Sequence, residues 1–158
     1  MQVEYINPFL SSLVKTFETM LKCQVNRGQI HLKDGSQLGG PISGVIGMSG
    51  QAVGTVVLNL SEEAAKKAAG AMLMMEMDEI NDDVLDGVGE LTNMVAGAAK
   101  TELQQFNLSI SLPNVVTGKD HEVRFPSNVS PICVPYETDF GPVSLEVGFV
   151  VKNEPVAV

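Results

Sequence analysis

Apolar residues recur at helical spacing through a long segment near the middle of the chain. At about 100° per residue, one stripe of this segment consists of Val84, Val88, Leu91, Val95, Ala99 and Phe106. The opposite stripe is polar or small and consists of Asp86, Glu90, Asn93, Gly97, Lys100 and Gln104. The pattern predicts an amphipathic helix over about 82–106 whose second stripe faces solvent.

Two more helices are predicted, one before and one after the first strands. Asn7 and Pro8 are typical of a helix cap and a first-turn proline, and apolar residues follow at helical spacing, which predicts a helix over 7–22. Ser61 with Glu62 and Glu63 predicts a second helix start, because a hydroxyl cap and early carboxylates suit a helix N-terminus.

The remaining segments have the pattern of strands. Residues 24–32 and 42–60 are expected to be extended, the latter as a hairpin turning at 49–51. Val143 to Val151 alternates, which predicts a strand with one buried face. Pro131 and Pro135 flank Ile132-Cys133-Val134, so this strand is expected to be interrupted or at a sheet edge.

The order of these elements predicts an α+β fold, with a largely antiparallel sheet packed against two long helices. Each half opens with a long helix and continues with strands, which suggests a duplicated arrangement. The length of 158 residues fits one domain over 1–158.

Composition excludes several classes of function. The net charge of −9 argues against a nucleic-acid partner, since phosphates require basic residues. The sequence has no apolar run of the roughly 20 residues that span a bilayer, so no membrane partner is expected. It also lacks the basic and apolar start that is typical of a secretion signal, so a cytoplasmic location is expected. Cys23 and Cys133 are predicted to be buried free thiols, and His31 and His121 to be structural or solvated rather than zinc ligands.

Three local clusters of residues have a simpler interpretation than a ligand-binding site. The glycines between 39 and 54 are followed by neither Gly-Lys-Ser/Thr nor a helix, so turns are expected rather than a phosphate loop. The acidic residues from Glu76 to Asp86 do not fit the calcium-loop template at either Asp78 or Asp82. Met72, Met74, Met75 and Met77 are expected mainly in the core, with an adaptable binding surface as the alternative.

Glu90 and Asn93 are the strongest candidates for function. They are three residues apart on the predicted helix, so their side chains share its exposed face. Asparagine and glycine both weaken a helix, and this one contains Asn93 and three glycines (87, 89 and 97). A helix with a purely structural role has little reason to contain these residues. This face therefore offers a carboxylate and an amide, next to a glycine that leaves room for a second surface. Together they could form a binding or catalytic surface.

The segment Glu90-Leu91-Thr92-Asn93-Met94-Val95-Ala96-Gly97 resembles the signature helix of the CheC/CheX/FliY phosphatases of bacterial chemotaxis. The opening residues Tyr5 to Leu10 and the strand 54–60 also resemble the CheX branch, so the resemblance extends over nearly the whole chain.

This resemblance implies hydrolysis of the aspartyl phosphate on a CheY-like response-regulator receiver. Asn93 would orient the attacking water, and Glu90 would pair with a receiver lysine. Asp86, Gly97 and Lys100 would complete the partner-binding face. The chain would bind no metal or other cofactor, because the magnesium belongs to the receiver, and it would form a homodimer.

A second pair with the same spacing, Glu4 and Asn7, is not expected to form a site. A residue before proline is pushed out of helical geometry, so Asn7 should be a cap and the two side chains should not share a face. One site is therefore predicted. The alternatives are a non-catalytic module of the same fold, which binds a receiver or flagellar switch component, and a sensor domain, which the lack of clustered histidines and cysteines disfavours.

Overall fold

The computed structural model describes residues 3–33 and 40–152. Its helices are α1 (Val3–Met20), α2 (Glu62–Leu73) and α3 (Asp82–Thr101), followed by a 3-10 turn at Gln104–Phe106. Its strands are β1 (Val25–Arg27), β2 (His31–Leu32), β3 (Ile42–Ser49), β4 (Ala52–Leu60), β5 (Ser109–Ile110), β6 (Asn114–Thr117), β7 (Ile132–Thr138) and β8 (Gly141–Val151).

All the described strands belong to one antiparallel sheet, in the order β1-β7-β8-β4-β3-β5. The short strands β2 and β6 extend it by pairing with β7 and β3 respectively. The two long hairpins β3–β4 and β7–β8 meet at its centre, where Ala52 pairs with Val151 and Leu60 with Val143. Each hairpin follows one of the two long helices along the chain, as the predicted duplication requires.

The core lies between one face of the sheet and the three helices. The apolar stripe predicted for α3 is buried throughout, and the alternating residues Val143, Leu145, Val147 and Phe149 of β8 face the same core. Phe9, Phe106 and Phe149 form an aromatic cluster with Tyr5, with ring centroids 5.0–6.0 Å apart. The predicted α+β class, the antiparallel sheet and the two long helices are thus confirmed.

Helix α1 differs from its prediction in a way that matters for function. It begins at Val3 and continues through Pro8, so Asn7 lies inside the helix and is not its cap. The apolar face that includes Ile6, Phe9 and Leu10 is buried as one continuous surface, and this packing offsets the roughly 3 kcal/mol that an internal proline costs. Glu4 and Asn7 therefore do share an exposed helix face.

Two other predictions need correction. Strand β7 is neither interrupted nor at the sheet edge, since it continues through Pro135 and has neighbours on both sides. The proline is accommodated because the outer neighbour of β7 is split into β1 and β2, and the break lies opposite Pro135. The methionine segment is also more exposed than expected, since α2 ends at Leu73 and the following turn leaves 92% of Met74 and 57% of Met75 exposed.

The outer face of the sheet is partly covered by residues 118–131, here termed the back strap. The Cβ that an alanine would place at Gly148 of β8 lies 2.7 Å from both Phe125 and Val129 of the strap, which shows how closely the strap lies on the sheet. His121 contacts Ser43 at 2.7 Å through its Nε2 atom. The prediction that only one face of these strands is buried was therefore incomplete.

A buried polar network lies under the back strap. The Ser43 hydroxyl donates to Asn59 at 2.5 Å, and the Asn59 amide donates to Glu146 at 2.5 Å. Lys33 forms an ion pair with Glu146 and donates to the carbonyl of Val123 in the strap. Because these charges are paired and hydrogen-bonded, their burial is tolerated and they hold the strap on the sheet.

Candidate functional site

The candidate site lies on α3, whose position is set by close contacts on three sides. Its N-terminus is capped by Asn81, whose side-chain oxygen accepts a hydrogen bond from the Val84 amide at 3.0 Å. Thr92 faces β3 where Gly44 has no side chain, and a Cβ there would lie only 1.9 Å from the Thr92 hydroxyl. The helix backbone can therefore approach the sheet closely, and α3 is held as a rigid support.

The glycines of α3 have different surroundings. A Cβ at Gly87 would lie 3.1 Å from the Ala69 side chain of α2, and one at Gly89 would lie 3.5 Å from Pro113 and Val115. Gly87 therefore sits at a tight packing contact, which corrects the prediction that it lacks a structural reason, whereas the distances at Gly89 are those of ordinary van der Waals contact. Gly97 has no neighbour within 4 Å of its would-be Cβ, among the residues that the structure describes.

The predicted outward stripe of α3 is present in the structure. Asp86, Glu90, Lys100 and Gln104 are exposed, and Asn93 and Gly97 are half-buried beside them. All five predicted site residues thus lie on one side of α3, with the open surface over Gly97 one turn beyond Asn93. The structure brings these residues together; their roles in a reaction remain predictions.

The carboxylate of Glu90 and the amide of Asn93 have no ion-pair or hydrogen-bond partner within residues 3–33 and 40–152. Both groups are available to a partner, since neither is engaged in holding the fold together. They lie on the outer face of a surface helix, whereas small-molecule sites are usually concave and mostly apolar. The arrangement therefore suits a macromolecular partner.

The charge around the site is arranged along the helix axis. Asp82, Asp83, Asp86 and Glu90 make the N-terminal half of the exposed face acidic, and Lys100 is the basic residue of the last turn. Acidic groups near a helix N-terminus and a basic group near its C-terminus also stabilise the helix itself. This acidic surface would attract a partner that presents lysines.

The described residues contain no group of three or more His, Cys, Asp or Glu side chains placed to hold a metal ion. Cys23 and Cys133 are buried, and neither forms a disulfide bond. No helix in the described part of the chain combines the length and apolar character needed to cross a membrane.

The segment that borders α3 on its sheet side was not predicted from the sequence. Pro113 and Val115 contact the helix at Gly89, next to Glu90, and Leu112 beside them is 87% exposed. The signal for an exposed loop was present in Ser-Leu-Pro-Asn, but its placement beside the site depends on a chain reversal that the local pattern does not specify.

Comparison with known proteins identifies relatives with this architecture. A CheC-like superfamily protein from Shewanella sp. PV-4 has a solved structure that is 35% identical, with a TM-score of 0.86, covering 94% of this chain and 99% of that one. The chemotaxis protein CheX from Vibrio vulnificus is 34% identical, with a TM-score of 0.86, covering 93% of this chain and 99% of that one.

A relative of named activity supports the same relationship. The CheY-P phosphatase CheX from Thermotoga maritima is 28% identical over 127 residues, which cover 78% of this chain and 82% of that protein. The model of the family described as chemotaxis phosphatase CheX matches residues 42–137, more than half of the chain and including Glu90 and Asn93. The chain therefore belongs to the CheX family of chemotaxis phosphatases.

Proposed function

We propose that this protein accelerates hydrolysis of the aspartyl phosphate on a CheY-like receiver domain. The observation that carries the proposal is the pair Glu90 and Asn93, which faces outward from α3 and has no partner among the residues that the structure describes. The named activity of the Thermotoga maritima relative, which is a CheY-P phosphatase, supports the substrate class.

The chemistry required suits the two side chains. In the reaction, a water oxygen bonds to phosphorus, the bond between phosphorus and the receiver aspartate breaks, and the products are a carboxylate and inorganic phosphate. Phosphoryl transfer depends mainly on positioning and charge stabilisation. The Asn93 carboxamide both donates and accepts hydrogen bonds, so it can hold a water in line with the bond that breaks.

Glu90 would act as the docking residue. Its exposed carboxylate, within the acidic N-terminal half of the α3 face, can pair with a lysine of the receiver and so fix where Asn93 lies over the phosphate. Asp86 and Lys100 would make further polar contacts with the receiver, and Gly97 would let its surface approach the helix. The magnesium ion that neutralises the phosphoryl group would be the receiver's, so this chain needs no metal ligands of its own.

The experiment is the decay of a phosphorylated CheY-type receiver from the same organism, with and without this protein. We expect Asn93→Ala to lower the stimulated rate by roughly 100-fold or more, because misplacing a reacting group costs about that much. The control Gln104→Ala removes an exposed amide farther along the same stripe and should change nothing. Full activity of Asn93→Ala would exclude the water-positioning role.

A binding measurement separates this proposal from the alternative of a non-catalytic receiver-binding module. Glu90→Ala should mainly weaken binding to the phosphorylated receiver, whereas Asn93→Ala should still bind it. A wild-type protein that binds the receiver without shortening the life of its phosphate would support the module instead.

We further propose a homodimer located in the cytoplasm, where CheY-like receivers act. Its mass by light scattering at micromolar concentration should be twice that of the chain, and a monomeric mass would contradict the dimer. Pairing of edge strands from two copies of the sheet is one route to association.

A further inference from the structure

Leu112 is an exposed apolar residue held beside the candidate site. Its exposed fraction is 87%, although the chain on both sides of it is anchored. Isolated exposed leucines are common on protein surfaces, so exposure alone would carry no conclusion. The anchoring and the location of this residue distinguish it.

The anchoring begins at Ser111, the residue before Leu112. The Ser111 amide donates to the Gly47 carbonyl of β3 at 2.8 Å, and the Ser111 hydroxyl accepts from the Gly47 amide at 2.9 Å. The same hydroxyl donates to the carbonyl of Leu112 at 3.0 Å. These bonds fix the backbone of Leu112 against the sheet.

The location is set by Pro113, the residue after Leu112. Pro113 lies against Gly89 of α3, where an alanine Cβ would be 3.5 Å from its ring, and Gly89 directly precedes Glu90. Residues 109–110 and 114–117 pair with β3, and Leu112 lies in the short connection between these two strands. Leu112 therefore lies at the edge of the sheet, one residue before the segment contacts α3 beside Glu90.

We infer that Leu112 is an apolar contact for the receiver domain that docks on Glu90. The inference rests on the proposed function and adds the residue that would supply binding energy outside the polar pair. Interfaces generally combine a few apolar anchors with a polar rim, and the exposed face of α3 is mostly polar or small. A leucine on an anchored backbone could be buried on docking with little loss of backbone entropy.

The test measures binding to a CheY-type receiver from the same organism, held in its activated form by magnesium and beryllofluoride. Leu112→Ala should weaken binding by roughly 10-fold, since burying a leucine side chain is worth about that factor or more. Leu112→Asp, which also places a charge in the contact, should weaken it further. At saturating enzyme, the phosphate hydrolysis rate of Leu112→Ala should equal that of the wild type.

The matched control is Leu32→Ala. Leu32 is also an exposed leucine, at 68%, but it lies on β2, which pairs with β7 toward the other edge of the sheet. Its replacement should leave receiver binding unchanged. Equal weakening by both substitutions would overturn the inference, because it would show a general loss of surface apolarity rather than a specific contact.

Two failures are distinguishable in the same set of proteins. If Leu112→Ala binds as the wild type does while Asn93→Ala has lost hydrolysis, this contact is wrong and the proposed function stands. If the wild type neither binds the organism's CheY-type receivers nor shortens the life of their phosphate, both the contact and the proposed function are wrong.

Discussion

Gly97 is the residue of α3 that combines a cost to the helix with free space around it. Glycine within a helix is less favourable than alanine by up to roughly 1 kcal/mol, and at Gly97 no neighbouring atom of the described chain fills the space where a Cβ would lie. The fold itself therefore does not require glycine here. The absence of a side chain is instead consistent with the close approach of a second protein.

Replacement of Gly97 tests this interpretation at the level of one residue. We expect Gly97→Ala to raise the free energy of unfolding by a few tenths to about 1 kcal/mol, measured by urea denaturation. Gly97→Phe should fold equally well but weaken receiver binding by roughly 10-fold or more, because an added ring between two closely packed surfaces costs on the order of 1–3 kcal/mol. Unchanged receiver binding by Gly97→Phe would mean that the partner does not cover this position.

The residue scale also shows what the sequence could and could not predict about the site. The outward direction of Glu90 and Asn93 follows from helical periodicity alone and was predicted. The packing role of Gly87 was not, because it depends on Ala69, which approaches α3 only in the folded chain.

Helix α1 raises the question of a second site at the scale of the element. Glu4 and Asn7 have the spacing of Glu90 and Asn93, and the structure places them on an exposed face of α1. The geometry of α1 therefore does not exclude this pair, and whether the chain has one site or two is a question for experiment. The residue four beyond Asn7 is Ser11, whereas Asn93 is followed at that distance by Gly97.

A comparison of two asparagine variants resolves the number of sites. With one site, Asn7→Ala should keep the full rate of receiver dephosphorylation, and Asn93→Ala alone should remove nearly all of it. A residual rate near half of the wild-type value in Asn93→Ala, which disappears in the double variant, would instead identify α1 as a second site.

The elements themselves were predicted more successfully than their ends. The β3–β4 hairpin was found from its turn at 49–51 and the β-branched run that follows, and β8 was found because its alternation of apolar and polar residues follows strand geometry directly. The start of α1 was wrong because the local bias of a residue before proline gave way to burial of a whole helix face. The position of β7 was wrong because the sequence does not show that its neighbour is broken opposite Pro135.

The molecule as a whole is covered on both faces of its sheet, by helices on one and by the back strap on the other. This second layer was not predicted, because the strap has no periodic pattern and because Ser43, Asn59 and Glu146 occupy strand positions that usually face solvent. Their burial follows from mutual hydrogen bonds and from Lys33, which are contacts between distant parts of the chain.

The stability of the whole molecule should respond to alkaline pH through Tyr136. Burial raises the pKa of this phenol from 10.0 to about 12, against the opposing effect of the Arg27 charge. Between these values the unfolded chain loses the proton first, so the folded state is destabilised as pH rises from about 10 to 12.

This linkage corresponds to a loss of roughly 2 kcal/mol by pH 12, given 1.36 kcal/mol per pH unit of separation. Denaturation of the wild type and of Tyr136→Phe at pH 8 and pH 11.5 measures it. The wild type should lose more stability than the variant over this interval. Equal losses would show that the phenol does not contribute to the pH dependence.

The burial of both thiols has a practical consequence for observing this molecule at work. Cys23 is 1% exposed and Cys133 is 9% exposed, and buried thiols are chemically inert compared with accessible ones. A single cysteine introduced on the surface should therefore react selectively with a maleimide dye in the native protein. The dye could be placed on the outer side of the back strap, across the sheet from α3. Energy transfer to a second dye on the partner would then report binding at α3 without blocking the binding face.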